Sequence, residues 1–414
     1  MKSNSADIIL QFRLLLKPAL WYNRVVDSHE LAHIALNAQL LSLSPNYRSA
    51  GINRYISNLL LNLAQDESRF RFTAFLSDRR FRATGRLEAR VSRLPTGRPL
   101  VRILWEQCVQ PWVLRRGRFD LLHGLAFALP WWSPCPSVVT IYDLSFLRYP
   151  KHFRVGNRLY LSLFVHLAAV RATHVITISQ STARDVTQLL GVEPRRITVT
   201  YCGVERDYRP LPEEIVEQFR REKNLPRRAI LYLGTIEPRK NLGTLIRAYH
   251  RLLALWPGPT DGEDVPRLVV AGGKGWGWQE VFALVEDLAV KNHVLFPGFA
   301  PDAELPLWYN VAECFAYPSL YEGFGLPALE AMACGTPVIT SNVSSLPEVV
   351  GEAGLTLAPQ DVEGLADALW RVLSDGDLRT HLRQCGLRQA ARFSWAKTAR
   401  QTLDVYDQVL AHGG

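Results

Sequence analysis

The chain has 414 residues, 48% of them hydrophobic and 21% charged, which excludes a disordered protein and leaves room for two domains with a core each. Its formal net charge of +9 concerns partners rather than fold. The arginines are spread along the chain without a zinc-finger, RRM or helix-turn-helix signature, which argues against nucleic acid and leaves anionic phosphates or anionic lipid headgroups as targets.

Residues 1–33 interleave apolar runs (Ile8 to Leu10, Leu14 to Leu16, Leu20 to Tyr22) with Lys2, Arg13, Lys17 and Arg24. This basic amphipathic extension would suit a membrane interface, with Trp21 and Tyr22 at headgroup depth, or would pack on the domain behind it. No secretory signal pattern opens the chain and no apolar run is long enough to span a bilayer, so a cytoplasmic protein, at most peripheral on the membrane, is expected. The six cysteines stand singly, with no C-x-x-C pair and no histidine at zinc-ligand spacing. Reduced thiols and no zinc are expected.

A first strand is expected over Ile34 to Ser42, then a turn with Pro45, Ser49, Ala50 and Gly51, then a helix over Asn53 to Ala64. Further strands are expected at Arg71 to Leu76, Asp120 to His123, Ser137 to Ile141, His174 to Ile178 and Ile197 to Tyr201, with a helix over Arg158 to Arg171. Arg206 to Glu214 is polar, carries two prolines and reads as a linker. A second alternating series follows: strands at Ala229 to Gly234, Arg267 to Gly272, Val294 to Phe296, Cys314 to Tyr317 and Pro337 to Ser341, with helices over Asn241 to Trp256, Trp278 to Val290 and Pro327 to Cys334. Such alternation predicts an α/β protein of two tandem, doubly wound, Rossmann-like halves facing a cleft beyond the carboxyl ends of their strands. The divisions are an extension at 1–33, a first half at 34–205, a second half at 206–392 and a last helix at 393–414.

Three strand-end turns of the second half carry the chemistry. The stretch from Pro318 to Pro337 places Glu322 before a helix and Glu330 inside it, with Gly323 and Gly325 between them and Pro327 at the expected first helical position. Glycines let the backbone approach a ligand, a helix N-terminus attracts phosphate, and carboxylates accept hydrogen bonds from sugar and ribose hydroxyls. The blander alternative is that Glu322 caps the helix and Glu330 is solvated. In Leu231 to Leu242, Gly234 ends a strand, and Arg239 and Lys240 stand where cations oppose a helix dipole, so a phosphate ligand is favoured over plain surface charge. The third turn, Ala271 to Gly277, is glycine-rich around Gly272 but matches neither the P-loop nor the dinucleotide fingerprint.

These blocks, Gly234, Glu237 to Leu242 and Glu322 to Glu330, resemble the donor half of the family 4 glycosyltransferases, which have the GT-B fold. Ser49 to Tyr55, Asp120 to His123, Thr140 to Leu144 and Ile178-Ser179 are similar to that family's acceptor half, and Phe393 to Leu410 to the helix that crosses back onto it. The resemblance implies a retaining hexosyltransferase that needs neither cofactor nor metal. It places Arg239 and Lys240 on the pyrophosphate, Glu330 on the ribose, and Glu322 with Gly323, Phe324, Gly325 and Leu326 on the donor sugar, beside Gly234 and Gly272. Gly51 and Asp143 fall on the acceptor or phosphate side. The sequence departs from the family pattern at Tyr142, where many relatives carry histidine, and this puts the roles of Tyr142 and Asp143 in question. His123 either approaches the transferred sugar or is a hydrogen-bonded histidine at a strand end. The glycine-loop pattern of Gly51, Ile52, Arg54 and Tyr55 is most similar to bacterial mannosyltransferases of polysaccharide assembly, which implies GDP-mannose as donor, with UDP-hexoses as the alternative, and a glycan or polyprenyl-linked acceptor. A sugar-nucleotide epimerase on the same fold is the competing enzyme class.

Overall fold

The computed structural model describes residues 31–43, 50–65, 69–150, 153, 155–257, 262 and 264–412. The amphipathic extension up to residue 30, and Pro45 and Ser49 of the first loop, lie outside the described residues.

Seven strands, β1 (Ala32–Ala38), β2 (Phe70–Leu76), β3 (Leu87–Val91), β4 (Leu121–Gly124), β5 (Ser137–Ile141), β6 (His174–Thr177) and β7 (Ile197–Val199), form a sheet in the order β3-β2-β1-β4-β5-β6-β7. Six more, β8 (Ala229–Leu233), β9 (Arg267–Ala271), β10 (Val294–Gly298), β11 (Cys314–Tyr317), β12 (Val338–Ser341) and β13 (Leu355–Leu357), form a second sheet in the order β10-β9-β8-β11-β12-β13. Every pairing is parallel. The central strands β5, β8 and β11 are buried on both faces, which is why β8 and β11 read as unbroken apolar runs and β5 breaks its run only with Ser137 and Thr140. In both sheets the order reverses beside the first strand, between β1 and β4 and between β8 and β11, and a doubly wound sheet opens a ligand crevice at that point.

Several elements differ from expectation. The first strand ends at Ala38, not Ser42, because Leu41 folds back through its N–H onto the carbonyl of Ala38. Strand β3 lies at a sheet edge, buries only Leu87, alternates partly buried Ala89 and Val91 with exposed Glu88 and Arg90, and so has no apolar run to betray it. The linker is shorter than its composition suggests, since a helix starts at Glu213. Its first-turn Glu213 and Glu214 and last-turn Arg220 and Arg221 complement the helix dipole, and Val216 and Phe219 are the residues it buries.

The last helix, Trp395–His412, packs on the first half. Thr398 donates to the Tyr201 carbonyl at 2.6 Å, Tyr406 meets Phe70 at 5.8 Å between ring centroids, and Arg69 pairs with Asp404 at 3.0 Å. At the crossing point a Cβ on Gly203 would stand 2.1 Å from the backbone nitrogen of Trp395. Only glycine allows the two chain segments to touch there.

Three histidines of the first sheet are buried neutral. His33 reaches Thr73 at 2.8 Å, His174 reaches Thr198 at 2.8 Å, and His123 lies between Tyr406 at 2.6 Å and Thr140 at 2.8 Å. Burial lowers His33 to about 4, with Arg71 adding to it, lowers His174 to about 4 with Arg196 adding to it, and lowers His123 to about 3. The unfolded chain takes up protons below about pH 6.5 where the folded protein does not. This contribution to stability is therefore complete above that pH and is lost as the pH falls from about 6.5 toward 4. Calorimetry across this range is expected to show an unfolding temperature that drops with acidification, with a shallower slope for His123→Gln.

Candidate active site

The three glycine turns close on one another through the backbone. Gly234, after β8, and Gly272, after β9, both have φ of +150°. A Cβ on Gly272 would lie 2.0 Å from the carbonyl oxygen of Gly234. Hydrogen bonds from Gly234 N to Ala271 O at 3.0 Å and from Ile236 N to Gly273 O at 2.9 Å zip the turns together. The third turn follows β11 and ends at Gly325, whose φ of +103° starts the helix Leu326–Ala333. Pro327 is thus the second helical residue, one later than expected, and its missing N–H still falls among the unpaired first-turn donors.

Between these turns sits a compact ionic cluster. Glu322 accepts from Lys240 Nζ at 2.7 Å and lies 3.5 Å from Arg239 Nη1. Arg239 also donates to the Tyr321 carbonyl at 2.7 Å and to Glu237 at 2.9 Å, and Lys240 donates to the Tyr317 hydroxyl at 2.5 Å. Burial alone would push the Glu322 carboxyl up, but Lys240 and Arg239 outweigh it and hold it at about 2. Burial lowers the Lys240 ammonium against the pull of Glu322. For Arg239 burial is outweighed by Glu322 and Glu237, so its guanidinium is raised. Glu322 is therefore the counter-ion of the two cations, not a helix cap.

Glu330 is equally engaged. Its Oε1 accepts from Arg54 at 2.5 Å and its Oε2 from the Tyr309 hydroxyl at 2.8 Å. Arg54 also grips Glu205 through Nε at 3.2 Å and Nη2 at 3.1 Å, and donates to the Tyr208 hydroxyl. Burial raises the Glu330 carboxyl, and Arg54 opposes it. The solvated helix position considered from sequence is excluded, because Glu330 is 1% exposed.

A cavity of about 840 Å³ lies between the halves. Gly234, Arg239, Lys240, Gly272, Glu322 to Leu326 and Glu330 line it from the second half, and Gly51 and Asp143 from the first. A second chamber of about 750 Å³ continues from it on the first half, past Tyr142, Asp143 and Asn157 to Phe127, Phe146, Phe153, Leu161 and Val165. Asp143 accepts from the N–H of Ser145 at 2.8 Å and from its hydroxyl at 2.6 Å. The Tyr142 hydroxyl donates to the Leu125 carbonyl.

His123 is the one singled-out residue that does not reach the cavity. It lies on β4 itself, fully buried, with both ring nitrogens occupied by Tyr406 and Thr140; of the two readings the hydrogen-bonded histidine at a strand end holds, and the catalytic role is corrected to a structural one. Conversely, Arg54, Glu205, Tyr208 and Tyr309 were not anticipated as site residues. Arg54 stands 276 positions from Glu330, and no local pattern announces such a pairing. Among the described residues no group of three or more histidine, cysteine, aspartate or glutamate side chains could hold a metal ion.

The halves also touch directly. A Cβ on Gly323 would lie 2.5 Å from the Tyr142 carbonyl oxygen, Tyr321 donates to Asp185 at 2.8 Å, and Glu348 accepts from the N–H groups of Gln180 at 2.8 Å and Ser181 at 2.7 Å. The Arg54–Glu330 pair belongs to this bridge, with side-chain exposures of 15% and 2%. Arg54→Ala leaves a buried carboxylate uncompensated and is expected to cost about 3 kcal/mol. Denaturant unfolding of Arg54→Ala, Glu330→Gln and the double variant checks this, with the double variant more stable than Arg54→Ala alone.

Residues 214–389 match the family described as Glycosyl transferases group 1, and residues 49–208 match Glycosyltransferase Family 4. The chain is 33% identical over 375 residues to the O-antigen chain mannosyltransferase B of Escherichia coli, covering 87% of this chain and 96% of that protein. Among solved structures, sucrose-phosphate synthase from Thermosynechococcus elongatus superposes with a TM-score of 0.73 at 23% identity, covering 92% of this chain and all (100%) of that one. Anabaena HepE in complex with UDP and glucose gives a TM-score of 0.66 at 18% identity, covering 90% and 99%. Two facing parallel α/β halves, their strand-end turns and these matches together establish that the chain belongs to the group 1, family 4 glycosyltransferases, and that it is a glycosyltransferase of the GT-B fold.

Proposed function

We propose that this glycosyltransferase moves mannose from GDP-mannose, with retention of anomeric configuration, to a glycan or polyprenyl-linked acceptor in cell-surface polysaccharide synthesis at the cytoplasmic face of the membrane. The observation that carries the nucleotide-sugar part is the Arg239–Lys240 pair, held ready by Glu322 at the mouth of a helix N-terminus. A diphosphate placed there meets two cations and the positive end of the helix dipole, and negative charge develops on it as the sugar departs. Mannose is supported by the relative named as an O-antigen chain mannosyltransferase. A nucleotide sugar is supported by a neighbour of the same fold solved with UDP and glucose.

In this reading Glu330 accepts from the ribose hydroxyls, exchanging part of its bond to Arg54. Glu322 and the backbone of Gly323 to Gly325 face the sugar, and the acceptor enters through the chamber lined by Phe146, Leu161 and Asp143. Retention follows if the acceptor hydroxyl attacks from the side the diphosphate leaves, passing its proton to a diphosphate oxygen. Catalysis then rests on positioning and charge stabilisation. The two cations do the work a metal would otherwise do, so no metal or other cofactor is required.

The test is nucleotide release from a panel of GDP- and UDP-sugars, with and without a polyprenyl-linked acceptor. Acceptor-dependent release of GDP from GDP-mannose is the expected result; a clear preference for a UDP-hexose would overturn the donor, and acceptor-independent turnover would point to an epimerase. Lys240→Ala is expected to lower turnover by about two orders of magnitude, the scale of removing one charge-stabilising group. Excess chelator is expected to leave the rate within about twofold of its starting value, since no metal is assigned a charge-stabilising role.

A further inference from the structure

One face of the first half carries an unusual surface. Leu100 and Leu104 on the helix Pro99–Leu104, Trp112 on the helix Gln110–Arg116, Trp131 and Trp132 on a loop, and Val155, Leu159, Leu163 and Val170 on the helix Val155–Arg171 are all between 40% and 77% exposed. At 3.6 residues per turn, the four on the last helix fall within about 80° of one another, a single outward stripe. The opposite side of that helix buries Val165, Ala168 and Ala169 in the same core cluster as Trp105 and Leu114 of the other segment. The two segments therefore cover the same side of the sheet.

The loop with the tryptophans is tied to both. The N–H of Trp131 donates to Gln107 at 2.8 Å, Gln107 donates to the Leu129 carbonyl at 3.2 Å, and Arg171 donates to the Trp131 carbonyl. The apolar residues thus form one patch larger than scattered surface leucines would make. Its charge has one sign: Arg98, Arg115, Arg116 and Arg118 accompany the first segment and Arg158 and Arg171 the second. Between Leu94 and Arg118 and between Val155 and Arg171 the sole carboxylate is Glu106, which is 3% exposed.

We propose that this face docks on an anionic lipid bilayer, with the tryptophans and leucines at headgroup depth and the arginines on lipid phosphates. Charge complementarity selects this occupant. A second copy of the chain, meeting the same patch across a two-fold axis, would set arginines against arginines with no carboxylate to receive them, whereas an anionic leaflet supplies the missing charge. The placement also has a functional consequence. The helix Val155–Arg171 presents its outer stripe to the lipid, while Asn157, Leu161 and Val165 line the second chamber. A helix is about 10 Å across, so the chamber opens about that far from the headgroups, where an acceptor anchored in the leaflet enters without leaving it. This docking surface is distinct from the amphipathic extension before residue 31.

The experiment is cosedimentation of the full-length protein with vesicles of phosphatidylcholine alone or mixed with phosphatidylglycerol, alongside analytical ultracentrifugation without lipid. Binding to the anionic vesicles, weakened by salt, is expected. Leu159→Glu/Leu163→Glu, two exposed positions whose change leaves the core untouched, is expected to weaken it about tenfold or more, and Arg115→Ser/Arg116→Ser about fivefold or more. Circular dichroism establishes that both variants are folded, and turnover on a water-soluble acceptor stays that of the unsubstituted enzyme for Leu159→Glu/Leu163→Glu, which separates this surface from the proposed donor chemistry. The proposal is overturned if the unsubstituted protein ignores anionic vesicles. It is equally overturned if the Leu159/Leu163 variant binds them undiminished, which assigns binding elsewhere, or if that variant abolishes self-association rather than vesicle binding, which assigns the face to a second copy.

Discussion

Glu322 sits between Arg239 and Lys240 with side-chain exposures of 9%, 19% and 12%, and most of the arrangement around it follows from keeping those charges so far buried. Neither cation would be tolerated at that depth without a carboxylate at hydrogen-bond distance, and the carboxylate would not stay ionised without the cations. Glu237 completes the set, leaving two formal positive and two formal negative charges on Arg239, Lys240, Glu237 and Glu322. Such a cluster is neutral at rest yet holds its donors in fixed directions, which is what electrostatic stabilisation of a departing diphosphate requires. The start of the Leu326–Ala333 helix adds the positive end of its dipole beside the cluster.

The glycines around the cluster serve close approach rather than flexibility. Gly234 and Gly272 bring two strand ends into backbone contact, Gly325 turns the chain into the helix, and Gly323 lets the second half touch the Tyr142 carbonyl of the first. The same contact zone contains Tyr321 on Asp185, and Glu348 capping the first turn of the Gln180–Leu190 helix. A carboxylate from one half thus satisfies orphan amides of the other, an interaction that exists only when the halves are together. Arg54 adds a third bridge, since it reads Glu205 and Tyr208 near the chain crossing and Glu330 across the cleft at once. Any ligand that draws on Glu330 also loosens that bridge.

Much of the second half was legible because its strands β8, β11 and β12 are buried on both faces and its turns are punctuated by glycine and proline. Cys314–Tyr317 begins and ends where the sequence places it, and the helix after it starts within a residue of the position marked by Pro327. Edge and surface elements were not. Strand β3 alternates and is charged, and the first two residues of the helix Glu213–Glu222 read as linker because they follow two prolines and are both acidic. His123 shows the limit at a functional position: a histidine at a strand end near a cleft has the same local sequence whether it faces substrate or, as here, Tyr406 and Thr140.

The sequence by itself determined the two parallel α/β halves, the three glycine turns and the candidates Arg239, Lys240, Glu322 and Glu330 among the charged residues, because periodicity, turn chemistry and short motifs are local and are read without knowing what packs on what. Only the tertiary structure decided how those charges are paired, that Glu330 is held by Arg54, that His123 is shut away, and that apolar residues from three separate segments share one arginine-rimmed face. Pairing and exposure depend on distances between residues far apart in the chain, and nothing in the order of residues along the chain encodes those distances until the two sheets and the returning C-terminal helix are folded together.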